Sequence, residues 1–142
     1  MSLNIKDAVT LEAWVKATVP PPTDSYIVVK GGDKYMMQLK GNRRFRFYSS
    51  GIIDMQSNNS AQVNTWYHVV STYNKNAGEG KEAKLYVNGN LDSTTSSTSA
   101  MSEDSGVLGI GAWASAGGAF PFNGLIDDVR IYNRALSADE IQ

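Results

Sequence analysis

Residues 9–17 read Val9-Thr10-Leu11-Glu12-Ala13-Trp14-Val15-Lys16-Ala17. Val9, Leu11, Ala13 and Val15 alternate with Thr10, Glu12, Trp14 and Lys16. Successive side chains of a strand point to opposite faces, so this stretch is a β-strand with two distinct sides. The same period recurs outward from it. Ser25 to Lys30 is a short β-branched run ending at Gly31-Gly32, and Tyr35 to Lys40 follows. Gly41-Asn42 supplies turn residues that tolerate positive φ. Arg44 to Ser49 then returns, with Phe45 and Phe47 on one face and Arg44, Arg46 and Tyr48 on the other.

Further along, Ile52 to Gln56 is a short strand between polar loops. Trp66 to Tyr73 is the strongest apolar run and reads as a central strand buried on both faces. Lys84 to Val87 leads into Asn88-Gly89, a strong hairpin signal, with Asn90 to Thr95 as the partner strand. Thr94 to Ser102, rich in Ser and Thr, reads as an exposed loop. Val107 to Trp113 and Phe122 to Tyr132 are the last two strands. Ser137 with Glu140 makes a capping box and predicts one helical turn at the end of the chain. There is no βαβ alternation. About ten short strands with polar turns indicate an all-β fold: two antiparallel sheets packed face to face in a jelly-roll sandwich. Its expected core is Val9, Leu11, Val15, Phe45, Phe47, Trp66, Val69, Leu85, Val87, Ile110, Val129 and Ile131. Trp14 and Trp66 are expected inside because each sits within a regular strand.

Three segments resemble one family. Phe122-Asn123-Gly124-Leu125-Ile126-Asp127-Asp128-Val129-Arg130-Ile131-Tyr132-Asn133-Arg134-Ala135-Leu136-Ser137 is similar to the closing signature of laminin-G-like jelly-roll domains of the concanavalin A-like lectin/glucanase superfamily. Val9 to Val15 resembles that family's early core strand. Trp66-Tyr67-His68-Val69-Val70, followed by Leu85-Tyr86-Val87-Asn88-Gly89, resembles its central strand and hairpin. The resemblance spans nearly the whole chain and implies one domain over residues 1–142. It implies no single function, because the fold hosts lectins, glucanases, adhesion modules and spacers. Members usually carry another strand before Val9, and only eight residues precede it here. A piece of a larger polypeptide lacking its first strand is therefore expected. The resemblance also implies an extracellular or cell-surface setting, with a glycan or a cell-surface protein as partner.

The bulk composition narrows these options. The 142 residues carry a net charge of -1, no cysteine and one histidine. No basic stripe offers a nucleic-acid footprint. No apolar run approaches the roughly 20 residues of a membrane span, and no apolar leader follows Met1-Ser2-Leu3. Asn58-Asn59-Ser60 fits the glycosylation acceptor pattern.

Enzymatic chemistry is poorly supplied. Retaining glycoside hydrolysis needs two carboxyl groups about 5.5 Å apart. Catalytic relatives on this fold set them along one strand as Glu-x-Asp-x-x-Glu, and no such motif occurs. Asp127 and Asp128 are adjacent, so a regular strand sends them to opposite faces. His68, the one histidine, in a buried-looking strand, reads as a hydrogen-bonded core histidine rather than a general base. The domain is expected to be no enzyme.

Calcium is the metal to consider, since it takes carboxylate and carbonyl oxygens. The family resemblance places Asp127 at a recurrent structural calcium ligand, with backbone oxygens near Gly31 and Gly32 as companions. Alternation with Leu125, Val129 and Ile131 puts Asp127 on the apolar face. Backbone amides, Arg130 or Arg134 are the alternative partners for a carboxylate there. Sugar binding asks for an aromatic face bracketed by polar groups. Trp113 and Phe120 in a small-residue loop, the polar face of Arg44, Arg46 and Tyr48, and Tyr26 and Tyr35 flanking the glycine turn are the candidate ligand-binding residues.

Overall fold

The computed structural model describes residues 3–142; Met1 and Ser2, the start of the stretch read as leaderless, lie outside. Ten strands form: β1 (Ala8–Ala17), β2 (Ser25–Lys30), β3 (Tyr35–Leu39), β4 (Phe45–Ser49), β5 (Ile53–Gln56), β6 (Tyr67–Asn74), β7 (Ala83–Val87), β8 (Asn90–Thr95), β9 (Leu108–Ile110) and β10 (Gly124–Tyr132). One sheet has the order β10-β1-β6-β7-β8 and the other β5-β4-β3-β2-β9. All neighbours are antiparallel. Among the described residues no helix is long and apolar enough to cross a membrane.

The core lies between the sheets. From β1 come Val9, Leu11, Ala13 and Val15; Met37, Phe45 and Phe47 face them from the second sheet. β2 and β3 are buried along their whole lengths. The second sheet is covered on its outer side too, which places Tyr26, Val29 and Met36 in a small cluster of their own.

Three core expectations fail. Trp14 is 40% exposed and Trp66 39% exposed, both outside the sandwich. Trp14 shares the face of Thr10, Glu12 and Lys16, so the period of the strand, not its central place in the sheet, decides where the ring goes. Trp66 precedes the first paired residue of β6. Ile110 is 53% exposed at the end of β9, which is shorter than the expected run to Trp113.

A bulge in β10 overturns the expected placement of Asp127. Glu12 pairs with Arg130 and Trp14 with Asp127, so Ala13 alone opposes both Asp128 and Val129. Asp128 takes the left-handed conformation, φ 48°. The extra residue shifts the alternation by one. Ile126 packs on the core before the bulge and Val129 and Ile131 after it, while Asp127 and Asp128 are both exposed.

The chain closes with α1 (Ala138–Ile141). The Ser137 hydroxyl accepts the Glu140 amide, and the Glu140 carboxylate accepts the Ser137 amide. Leu136 and Ile141 bury against Val70 and Tyr86 on the outer face of the first sheet. Thr10 straps this segment down: its hydroxyl donates to the Arg134 carbonyl at 2.8 Å and accepts the Leu136 amide at 3.0 Å.

Candidate ligand-binding grooves

A loop crossing the outer face of the second sheet builds the first groove. After β9 the chain turns at Gly111 (φ 78°), passes through a 3-10 turn at Ala114–Ala116, and reverses at Gly117 and Gly118, φ 69° and 83°. These values suit glycine and few other residues. The reversal is closed by the Trp113 amide donating to the Ala119 carbonyl at 2.9 Å, and the loop is tied to β2 by the Tyr26 amide donating to the Phe120 carbonyl at 3.1 Å. Trp113 thereby stacks on Tyr26 at 5.6 Å, with Phe120 at 5.9 Å from Tyr26 and 6.4 Å from Trp113. The indole N–H donates to the Gly31 carbonyl at 3.0 Å and fixes the ring.

The groove beside this aromatic wall measures about 400 Å³ and is also lined by Asp24, Gly32, Asp33, Met36, Gln38, Arg46 and Tyr48. Arg46 spans it. Its guanidinium donates twice to Asp54, both at 2.7 Å, and once to Gln38 Oε1 at 3.2 Å, and lies 4.3 Å from the Tyr48 ring centroid. That bidentate bond holds the Asp54 carboxyl below its usual range. Asp24 is paired with Lys40 at 2.9 Å. Burial, reinforced by the Asp24 charge, pushes the Tyr26 hydroxyl up. Charged groups here are mostly matched internally, which leaves an aromatic face edged by directed N–H and C=O groups.

Of the residues singled out from sequence, Trp113, Tyr26, Arg46 and Tyr48 line this groove, and Phe120 stands behind its aromatic wall against Tyr26 and Trp113 without lining it. Tyr35 does not: it faces the core, fully buried, its hydroxyl donating to the Leu3 carbonyl at 2.9 Å and pushed up to about 12 by burial. Arg44 precedes β4, is exposed, and does not line the groove. Asp24 and Gln38 went unnoticed in the sequence. A glutamine inside the apolar run Tyr35 to Lys40 was the available signal, since a buried carboxamide needs a partner.

The groups expected to surround calcium lie apart. Asp127 is on the outer face of the first sheet, where its Oδ1 accepts the Asp128 amide at 2.8 Å. Gly31 and Gly32 end β2 in the second sheet. The Gly31 carbonyl is taken by Trp113, and the Gly32 amide donates to Asp104 at 3.0 Å. Nearby carbonyls are held by buried ammonium groups: Lys30 donates to Asp104 and Gly106, and Lys34 to Ser102. Burial, followed by the Lys30 charge, lowers the Lys34 ammonium. Among the described residues no three His, Asp or Glu side chains converge as ligands.

The outer face of the first sheet carries a second pair of clefts. One, about 710 Å³, is lined by Trp14, Trp66, His68, Asn88, Gly89, Asn90, Ile141 and Gln142; the other, about 340 Å³, by Trp14, Trp66, Asp127 and Asp128. The bulge thus lets two adjacent acids share a cleft, against the expectation from a regular strand. A glycosidase acid is a sheltered carboxyl, and these two stand exposed. His68 is buried and hydrogen-bonded to Glu12 at 2.9 Å, as expected, but it lies outside the core, on the outer face, where it stacks on Trp14 at 5.1 Å and lines the larger cleft.

Comparison with known proteins follows the same lines. A family model described as concanavalin A-like lectin/glucanases superfamily matches residues 2–142. No curated protein matches the chain in sequence. A candidate carbohydrate-binding protein from Bacteroides ovatus superposes with TM-score 0.82 at 18% identity, over 99% of this chain and 41% of that one. The CBM40 module of a Ruminococcus gnavus sialidase, bound to α2,3-sialyllactose, gives 0.76 at 20%, over 98% and 83%. A Trypanosoma rangeli sialidase gives 0.70 at 22%, over 95% and 22%. The chain spans less than half the length of the first structures it matches. At these identities the likeness is one of fold.

Proposed function

The chain belongs to the concanavalin A-like lectin/glucanases superfamily, and from that premise we propose that it is a non-catalytic carbohydrate-binding module of a larger extracellular protein, holding its sugar in the groove on the second sheet. One observation carries the reading: Trp113 stacks on Tyr26 with Phe120 beside it, next to the Arg46–Gln38 edge. Sugar rings present C–H faces to aromatic planes and hydroxyls to directed polar groups. A mere spacer is expected to pack both Trp113 and Phe120 inward; Phe120 is 45% exposed, and Trp113 is half-buried against Tyr26 with one face toward the groove. The neighbouring structures described as a candidate carbohydrate-binding protein and as a sialyllactose-bound module support the ligand class. In the groove, Asp24 is ion-paired and Asp33 exposed, so neither resembles a sheltered catalytic acid.

The test is a glycan array, with and without calcium, followed by titration of the leading glycan and of α2,3-sialyllactose into wild type, Trp113→Ala and Arg46→Ala. We expect saturable binding that moves the Trp113 indole signal and weakens about tenfold in either variant. An array with no hit in both conditions, or binding that both variants retain, rejects the reading.

A further inference from the structure

We propose a second carbohydrate site, selective for neutral oligosaccharides, in the cleft between Trp14, Trp66, Asn88 and Asn90 on the opposite face of the sandwich. It shares only the ligand class with the groove on the second sheet and stands or falls independently of it.

The aromatic component comes first. Two indoles stand side by side and half exposed on one sheet face, a costly arrangement of apolar surface unless something covers it. Trp14 is held in place from behind. His68 stacks on it with planes 26° apart, Glu12 Oε1 fixes the His68 ring, and the Tyr132 hydroxyl donates to Glu12 Oε2 at 3.3 Å. Trp66 carries the Lys16 ammonium 5.7 Å from its ring centroid. A platform already ordered loses little conformational freedom when a ligand arrives.

The polar component is neutral. The Asn88-Gly89 turn, φ 52° and 79°, brings two carboxamides to the rim. Asn88 Oδ1 accepts the His68 amide at 3.0 Å, and the Asn90 NH2 donates to the Asn88 carbonyl at 3.2 Å. Both amides are therefore oriented, while the Asn88 NH2 and the Asn90 Oδ1 have no hydrogen-bond partner among the described residues. Gln142 adds a third carboxamide. Among the described residues no Asp, Glu, Lys or Arg side chain lines this cleft, whose volume of about 710 Å³ falls in the range of small-molecule sites. Asp127 and Asp128 line the adjoining cleft around the same two indoles. Arg130 lies 3.8 Å from Asp128, and among the described residues no Lys or Arg cation lines the larger cleft to hold a carboxylate, which gives the selectivity its sign.

The three tryptophans supply the readout, since their indole N–H signals report separately on the two faces. A panel of cellotetraose, xylotetraose, maltotetraose, chitotetraose and lactose is titrated into labelled protein. We expect at least one to shift the Trp14 and Trp66 signals saturably, and α2,3-sialyllactose to leave both in place. Trp14→Ala and Trp66→Ala weaken that binding about tenfold, while Trp14→Phe retains most of it. In the absence of sugar, a Trp113 signal at the wild-type position certifies that each variant is folded. Failure of every neutral sugar to move Trp14 and Trp66 overturns the proposal. So does a shift that follows protein concentration instead of sugar, which marks a self-association face. Loss at Trp113 alone counts only against the first groove.

Discussion

Replacing Thr10 with valine removes two hydrogen bonds and almost nothing else. The side chain is fully buried in β1, and valine matches its shape and strand preference. The lost hydroxyl joins the Arg134 carbonyl at 2.8 Å and the Leu136 amide at 3.0 Å, bonds that span 124 and 126 residues of chain. The Leu136 amide, buried beneath α1, is left without an acceptor, while the Arg134 carbonyl belongs to an exposed residue and gains water. Stranding a buried donor costs about 1–3 kcal/mol, and losing the second bond adds about 0.5–1 kcal/mol. A total of about 1.5–4 kcal/mol lowers the melting temperature of a domain of this size by roughly 5–13 °C. The assay is reversible denaturant unfolding and calorimetry of wild type, Thr10→Val and Thr10→Ser. Serine keeps both bonds and forfeits only a methyl group, about 1 kcal/mol. A valine variant no less stable than the serine one refutes the strap as a stabilising element. The loosened segment ends at Ile141 and Gln142, so the variant also weakens any sugar held by Trp14 and Trp66.

Other consequences are equally open to measurement. Gly124→Ala drives a Cβ into the Lys16 carbonyl oxygen and to 2.9 Å from the Ala17 Cα; backbone cannot yield cheaply, so unfolding measurements should show a loss of about 3 kcal/mol or more. The Arg134 guanidinium, with the Ser137 amide, holds the Glu140 carboxyl down from 4.5 to about 2. The folded value lies below the unfolded one, so this contribution is complete above pH 4.5 and fades as the pH falls toward 2. Methyl resonances of Ile141 should report α1 releasing in that window, and Glu140→Gln should remove the dependence. Asp127→Ala, at an exposed carboxylate that among the described residues accepts only its neighbour's amide, is expected to change stability by less than about 0.5 kcal/mol in calcium and in chelator. A calcium-induced rise in melting temperature that this variant abolishes would reinstate Asp127 as a ligand.

The strands were legible because period-two alternation is a local property. Val9 to Ala17 announces its inner face without reference to any other residue, and Asn88-Gly89 and the Ser137–Glu140 box are likewise short-range. Even the outward turn of Trp14 was present in its register with Glu12 and Lys16, and was obscured only by the presumption that a central strand buries its aromatics. The sites depended on what meets what. Trp113, Phe120, Tyr26, Arg46 and Tyr48 were each visible, but their union with one another and with Gln38 arises from a glycine-hinged loop that leaves β9 and folds back over the outer face of the same sheet. The pairing of Asp127 and Asp128 in one cleft arises from a single extra residue opposite Ala13. Alternation fixes which side of a strand a residue takes. Bulges, crossovers and loop returns decide which residues share a surface, and those are set by packing between segments far apart in the chain, which no local pattern encodes.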